Sequence, residues 1–194
     1  LAIKEQEGSA VTVSVGHGLA YDVRNSRFST VRGYIVRMDN EFAGLAGDVN
    51  YIKNEVTGSY YYPFFEDVVG SVTAGAGYIY GLGDDIRIVD RFNLGGTDLR
   101  GFDNLGVGPR DVETSDAVGG NWFYRGSLQV RFPLGLPNEL GFQGRAFTDM
   151  GSLGGADGTA GNIADTGSLR ASAGLGVGWN SPFGPISVDF AKAF

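Results

Sequence analysis

The sequence predicts an all-β chain, a transmembrane antiparallel β-barrel wall of about eight long strands. Three observations predict it. Apolar residues alternate with small or polar ones along most of the chain, which is the period of a strand. The polar side of those runs holds Gly, Ser and Thr with occasional Arg, Asp or Gln, whereas the outer face of a soluble sandwich carries many Lys and Glu. Short turns alternate with long loops, as outer-membrane barrels require.

The first strand places Val11, Val13, Val15, His17, Leu19, Tyr21 and Val23 on one face, with Thr12, Ser14, Gly16, Gly18, Ala20, Asp22 and Arg24 on the other. Arg32–Leu45 alternates moderately. Asp48–Tyr62 alternates poorly and is a strand by context. After Asp67, Val68, Val72, Ala74, Ala76, Tyr78 and Tyr80 oppose Ser71, Thr73, Gly75 and Gly77, with Val69 and Ile79 as exceptions. Trp122, Tyr124, Leu128, Val130 and Phe132 oppose Arg125, Ser127, Gln129 and Arg131. Leu140, Phe142, Ala146 and Met150 oppose Gln143, Arg145 and Asp149. Leu169, Ala171, Ala173, Leu175, Val177 and Trp179 oppose Arg170, Ser172 and three glycines. Ile186, Val188 and Phe190 oppose Ser187 and Asp189. Aromatics gather near strand ends, at Tyr60, Tyr61, Tyr62, Phe64 and Phe65 and again at Trp122, Phe123 and Tyr124. Such clusters suit the girdles of a barrel in lipid.

Short turns are expected at Tyr62–Asp67, Pro133–Glu139 and Asn180–Pro185. Long loops are expected at Gly81–Gly120 and Gly151–Gly167. The first is too long for a plain hairpin, and a loop of that length is usually functional or disordered.

Composition narrows the function. Glycine is abundant, at 33 of 194 residues, yet without a strict period, and 42% of the chain is hydrophobic. That excludes a collagen-like or disordered chain. The mean hydropathy of -0.05 fits barrel strands, in which only alternate positions are apolar. A net charge of -7 argues against nucleic acid as a partner, since phosphate binding needs a basic surface. Cysteine is absent, and His17 is the one histidine. A thiolate or histidine-cluster metal site has nothing to build on, no cofactor site is expected, and alternation turns His17 outward between Val15 and Leu19. A nucleophile–base enzyme is therefore not expected.

Within the first loop lies Arg91–Phe102, RFNLGGTDLRGF. Gly95 and Gly96 permit a tight turn. Leu99, Arg100, Gly101 and Phe102 then set one guanidinium between two apolar side chains. A permanently charged guanidinium inside such a loop wants a carboxylate or a dipole partner, and Asp149, which alternation places on the polar face, is the best candidate.

Arg91–Phe102 resembles the signature of the BamA and Sam50 superfamily, the outer-membrane barrels of the D15 surface-antigen type. In that family a glycine pair is followed by a hydrophobic residue and Arg-Gly-Phe. Ser115–Asn121 (SDAVGGN) resembles the segment entering the next strand and favours the BamA branch. Phe147–Gly151 (FTDMG) resembles the aromatic-x-Asp-x-Gly strand, and Trp179–Pro185 (WNSPFGP) the Ser-Pro-x-Gly-Pro turn. Tyr21–Gly33 resembles an upstream strand-turn-strand segment that usually carries a Pro near Thr30. These matches run in order along nearly the whole chain.

The resemblance implies a sixteen-stranded barrel preceded by POTRA domains. Residues 1–194 would be its C-terminal part, strands eight to fifteen, with a lumen loop over about 81–120. It implies that Arg100, flanked by Gly101 and Phe102, contacts the wall acid Asp149 from inside the lumen. A second wall acid of some members falls at Gln129, so the ionic network is expected to be thinner. The implied function is folding and inserting β-barrel proteins into the bacterial outer membrane, without covalent chemistry or ATP. The implied partners are unfolded outer-membrane β-barrel proteins, outer-membrane lipid and accessory assembly lipoproteins. A two-partner secretion transporter, a TamA-like factor and a passive porin stay open as alternatives.

Overall fold

The computed structural model describes residues 8–83, 85–156, 162–182 and 184–194. Ten strands follow in chain order: β1 (Thr12–Asp22), β2 (Gly33–Gly47), β3 (Tyr51–Phe65), β4 (Val68–Gly81), β5 (Arg110–Asp111), β6 (Trp122–Pro133), β7 (Phe142–Gly154), β8 (Ile163–Ala164), β9 (Arg170–Ser181) and β10 (Gly184–Ala193). Eight of them form one antiparallel sheet in the order β1-β2-β3-β4-β6-β7-β9-β10, while β5 and β8 pair separately. The eight wall strands run from 10 to 15 residues, enough to cross an apolar band of about 25 Å at the tilt of a barrel strand.

The register carries each face across the sheet. Leu19, Met38, Val56, Ala76 and Tyr124 lie in one cross-strand row. All are on the outward face, where Val15, Tyr21, Val36, Tyr60, Val72, Leu128 and Leu175 are also exposed. On the opposite face Ser59, Thr73, Ser127, Asp149 and Ser172 form a polar row. So large an exposed apolar face is a liability in water and is the lipid-facing surface of a barrel wall. The buried core is not a layer between two sheets. It joins Ala43, Tyr51, Ile79, Phe123 and Leu153 of the wall to Ile86, Phe92, Leu94, Leu99 and Val107 of the loop between β4 and β6.

Several details differ from the expected pattern. Tyr62–Phe65 is strand rather than turn, because Pro63 is accommodated at a register shift between Pro63 and Phe65, where a missing N–H is tolerated. The turn shrinks to Glu66 and Asp67. β7 extends to Gly154, four residues into the expected Gly151–Gly167 loop. Residues 157–161 of that loop, Asp84 of the Gly81–Gly120 loop and Phe183 of the Asn180–Pro185 turn lie outside the described residues. Two aromatics assigned to girdles face inward. Tyr61 lines a lumen cavity, and Phe123 is buried with its ring 4.8 Å from that of Phe92. The outward pair is Trp122 and Tyr124, stacked at 6.0 Å. Poor alternation in β3 also has a local cause, since Asn54 and Gly58 occupy outward positions beside Ile52, Val56 and Tyr60.

Candidate functional site: a loop clasped to the lumen wall

The loop between β4 and β6 folds back onto the polar face of the wall. Its base is organised by Arg91, which is 3% exposed. Arg91 donates to the Ile86 carbonyl from Nε and Nη2, at 3.0 and 2.8 Å, and to the Val118 carbonyl from Nη1 at 3.3 Å. One guanidinium thus ties the descending and ascending arms of the loop together. Phe92 and Gly120 exchange backbone hydrogen bonds beside it. Lys53 of β3 sits 4.5 Å above the Phe92 ring and donates to the Asp90 carbonyl at 2.7 Å.

Gly95 and Gly96 turn the chain at the loop tip, with φ of 137° and 61°. A side chain at Gly95 would run into the Asp103 carbonyl. The turn delivers Leu99, fully buried, and then Arg100 to the wall. Arg100 grips Asp149 of β7 with two parallel bonds, Nε to Oδ2 at 2.7 Å and Nη2 to Oδ1 at 2.8 Å. Its backbone N–H adds a third at 3.2 Å. Arg100 Nη1 donates to Gln129 Oε1 at 2.8 Å and Nη2 to Ser127 Oγ at 3.1 Å, both on β6. The guanidinium carbon lies 3.4 Å from the centre of the Phe147 ring. Ser127 Oγ donates to Asp149 Oδ1 at 2.6 Å, and the carboxylate is 1% exposed. A fork-to-fork pair of this kind, removed from bulk water, is among the stronger ionic contacts.

Two further strands join. Ser172 of β9 donates its hydroxyl to the Arg100 carbonyl. Gly101, at φ 92°, lies so close to the wall that an added Cβ would be 3.2 Å from Ala191 of β10 and from Ser172. Phe102 packs against the core between loop and wall. The loop tip therefore touches β6, β7, β9 and β10.

The structure brings Leu99, Arg100, Gly101, Phe102, Gln129 and Asp149 into one cluster, with Gly95 and Gly96 as its turn. The expected thinning of the ionic network is offset by Asp189 of β10, which sequence reasoning missed. Its Oδ2 is 3.7 Å from Arg100 Nη1, and its Oδ1 binds Arg145 Nε at 2.6 Å. Alternation placed Asp189 on the polar face, but nothing in the spacing linked it to a residue in a distant loop. Arg125 and Asp98 form a further ion pair between β6 and the loop tip. Asp149 accepts bonds on both oxygens, two on Oδ2 from Arg100 and one each on Oδ1 from Arg100 and Ser127. His17 lies on the outward face, with Nε2 3.2 Å from Asn40 Nδ2.

Comparison with known proteins agrees with this architecture. The chain is 40% identical over 194 residues to the outer membrane protein assembly factor BamA of Neorickettsia risticii, covering 99% of this chain and 26% of that protein. It is 33% identical over 145 residues to the sorting and assembly machinery component 50 homolog of Mus musculus, covering 73% of this chain and 30% of that protein. The chain thus spans between a quarter and a third of these relatives. The crystal structure of BamA from Haemophilus ducreyi lacking POTRA domains 1-3 superposes with a TM-score of 0.83 at 22% identity, over 93% of this chain and 38% of that one. Residues 2–194 match the Omp85 superfamily domain, and the chain belongs to that superfamily.

Proposed function

We propose that the chain is the C-terminal part of the barrel wall of an outer-membrane protein assembly factor. The protein folds other β-barrel proteins and inserts them into the outer membrane without covalent chemistry or ATP. The observation that carries this reading is the clasp of Arg100 on Asp149. A passive pore needs no loop fastened across four wall strands, whereas a wall that must deform and recover needs a device that restores one shape. The physical task is set by the bilayer. A strand entering lipid with unpaired N–H and C=O groups meets a cost of several kcal/mol per group, and only a closed barrel satisfies them all. A wall that shields those groups during entry lowers that barrier, and the energy comes from the substrate's own closure.

The partners implied are unfolded outer-membrane β-barrel proteins, the surrounding lipid and accessory assembly lipoproteins. Arg100 and Asp149, supported by Gln129, act by holding the loop and do not touch a reacting bond. The test is depletion of the full-length parent protein in its own cell, followed by heat-modifiable gel mobility of porins. Loss of folded porins, rescued by the wild-type gene and poorly by Arg100→Ala, is the expected result. Normal porin assembly after depletion would overturn the reading in favour of a secretion transporter or a pore.

A further inference from the structure

The lumen side of the wall holds a second feature, a cavity that Arg100 and Asp149 of the clasp line on one side only. The segment between β1 and β2, residues 23–32, folds inward at the short-turn end of the barrel. Asn25 accepts the backbone N–H groups of Val31 and Arg32 at 3.0 Å each, and Thr30 donates to the Ser26 carbonyl at 2.6 Å. The folded segment crosses to β6, where Arg131 donates to the Thr30 carbonyl. Between this segment, the wall and the loop tip lies a cavity of about 460 Å³, a size typical of ligand pockets.

Its charge is unbalanced. Among the described residues the lining includes Arg24, Arg27, Arg100, Arg125, Arg131 and Arg145, but only Asp98 and Asp149 as carboxylates. Each of those aspartates is held by Arg125 or Arg100. Asp189 holds Arg145, and Asp22 holds Arg24 at 2.8 Å. Two arginines are left over. Arg131 has its described hydrogen bond with a neutral carbonyl, and it stands directly opposite Arg145 in the register, an arrangement that like charges disfavour. Arg27 is 3.8 Å from a carboxylate already gripped by Arg24, and its side chain is 82% exposed. This surplus sits in a chain whose net charge is -7. At the lip Phe28 is 97% exposed, and Tyr61, Gln143 and Asn180 offer hydrogen-bonding groups along the lining.

We infer that this cavity is a docking site for an acidic peptide segment. The surplus guanidiniums Arg27 and Arg131 take its carboxylates as planar forks. Phe28 covers an apolar side chain, and the amide and hydroxyl groups take the peptide backbone. Only the placement of the mouth on the periplasmic side rests on the outer-membrane orientation, in which short turns face the periplasm.

The test uses the purified full-length parent protein in lipid nanodiscs and the fluorescence anisotropy of a fluorescein-labelled pentaglutamate. Saturable binding is expected, weakened by salt and absent for pentalysine. Arg27→Glu and Arg131→Gln should each weaken it by about tenfold, as loss of a charge-assisted contact does. Arg27 is exposed, so its variant folds even where Arg131→Gln does not. Pentaglutamate binding no tighter than a neutral Gly-Ser peptide, or equally to Arg27→Glu, would sink the proposal. Equal displacement by the same concentration of inorganic phosphate would also overturn it, by marking a small-anion site. Binding reads nothing of porin assembly, so failure here leaves the assembly reading to its own test.

Discussion

The Asp189 carboxylate binds Arg145 at 2.6 Å through one oxygen and faces Arg100 at 3.7 Å through the other. It stands where β10 meets the clasp, so a charge absent from Gln129 on β6 is supplied from a strand three places away in the sheet. The loop tip is thereby held ionically from both β7 and β10.

Asp189→Asn should leave Arg145 with an unmatched charge while keeping the Arg100–Asp149 fork. A cost of about 1–3 kcal/mol in denaturant stability is expected, the range for a lost bond to a charged group. Combining it with Arg145→Gln should be less damaging than the sum of the two, with a coupling of about 0.5–3 kcal/mol. Strict additivity in that cycle would show that the two side chains do not act on each other.

Asp149→Asn removes the carboxylate partner of a half-buried guanidinium that keeps its bonds to Gln129 and Ser127, and about 1.5–3 kcal/mol of loop docking should be lost. Limited proteolysis of the full-length parent reads this as new cleavage between residues 82 and 121. Gln129→Glu in the same background puts a carboxylate where Arg100 Nη1 already finds an acceptor at 2.8 Å. Protection should return in part. If it does not, the ionic contacts are not what holds the loop.

Gly95 of the loop turn differs in kind from Gly135 of the short turn between β6 and β7. Gly95 combines a φ of 137° with a carbonyl in the path of any side chain, whereas Gly135 has a φ of 74° and open space around it. Gly135→Ala should cost only the backbone term, about 1 kcal/mol. Gly95→Ala should cost more and expose the loop to protease. Equal stability of the two variants would remove the turn from the argument.

Much of this architecture was legible in the sequence, because in a membrane wall the face of each residue follows from its parity. Asp149 and Gln129 could be placed on the lumen face by counting from Met150 and Leu128. Counting failed where a local exception intervened. Pro63 kept its strand by sitting at a register shift, while Phe123, assigned to a girdle by its neighbours, obeys its parity and faces inward, where the loop covers it with Phe92. Arg91 looked like the first letter of a motif, yet it is the most buried arginine and holds the loop base through carbonyls, which leave no mark on side-chain pattern. Asp189 and Arg131 were readable as lumen residues, but their partners lie 89 and 101 positions away, beyond the reach of periodicity.

The two faces of the wall should respond oppositely to the same charge. Val56 is exposed outward in mid-strand, while Ser14 lines a lumen cavity with three carboxylates, Asp39, Glu41 and Glu55, and one cation, Lys53. Val56→Lys puts an ammonium into hydrocarbon and should cost about 2–4 kcal/mol near the midplane. Ser14→Lys places the same group among carboxylates and water and should fall within about 0.5 kcal/mol of the wild type. Guanidinium unfolding of the full-length parent in liposomes measures both. A tolerated Val56→Lys beside a damaging Ser14→Lys would mean that the outward face does not meet lipid, and the barrel orientation would have to be reversed.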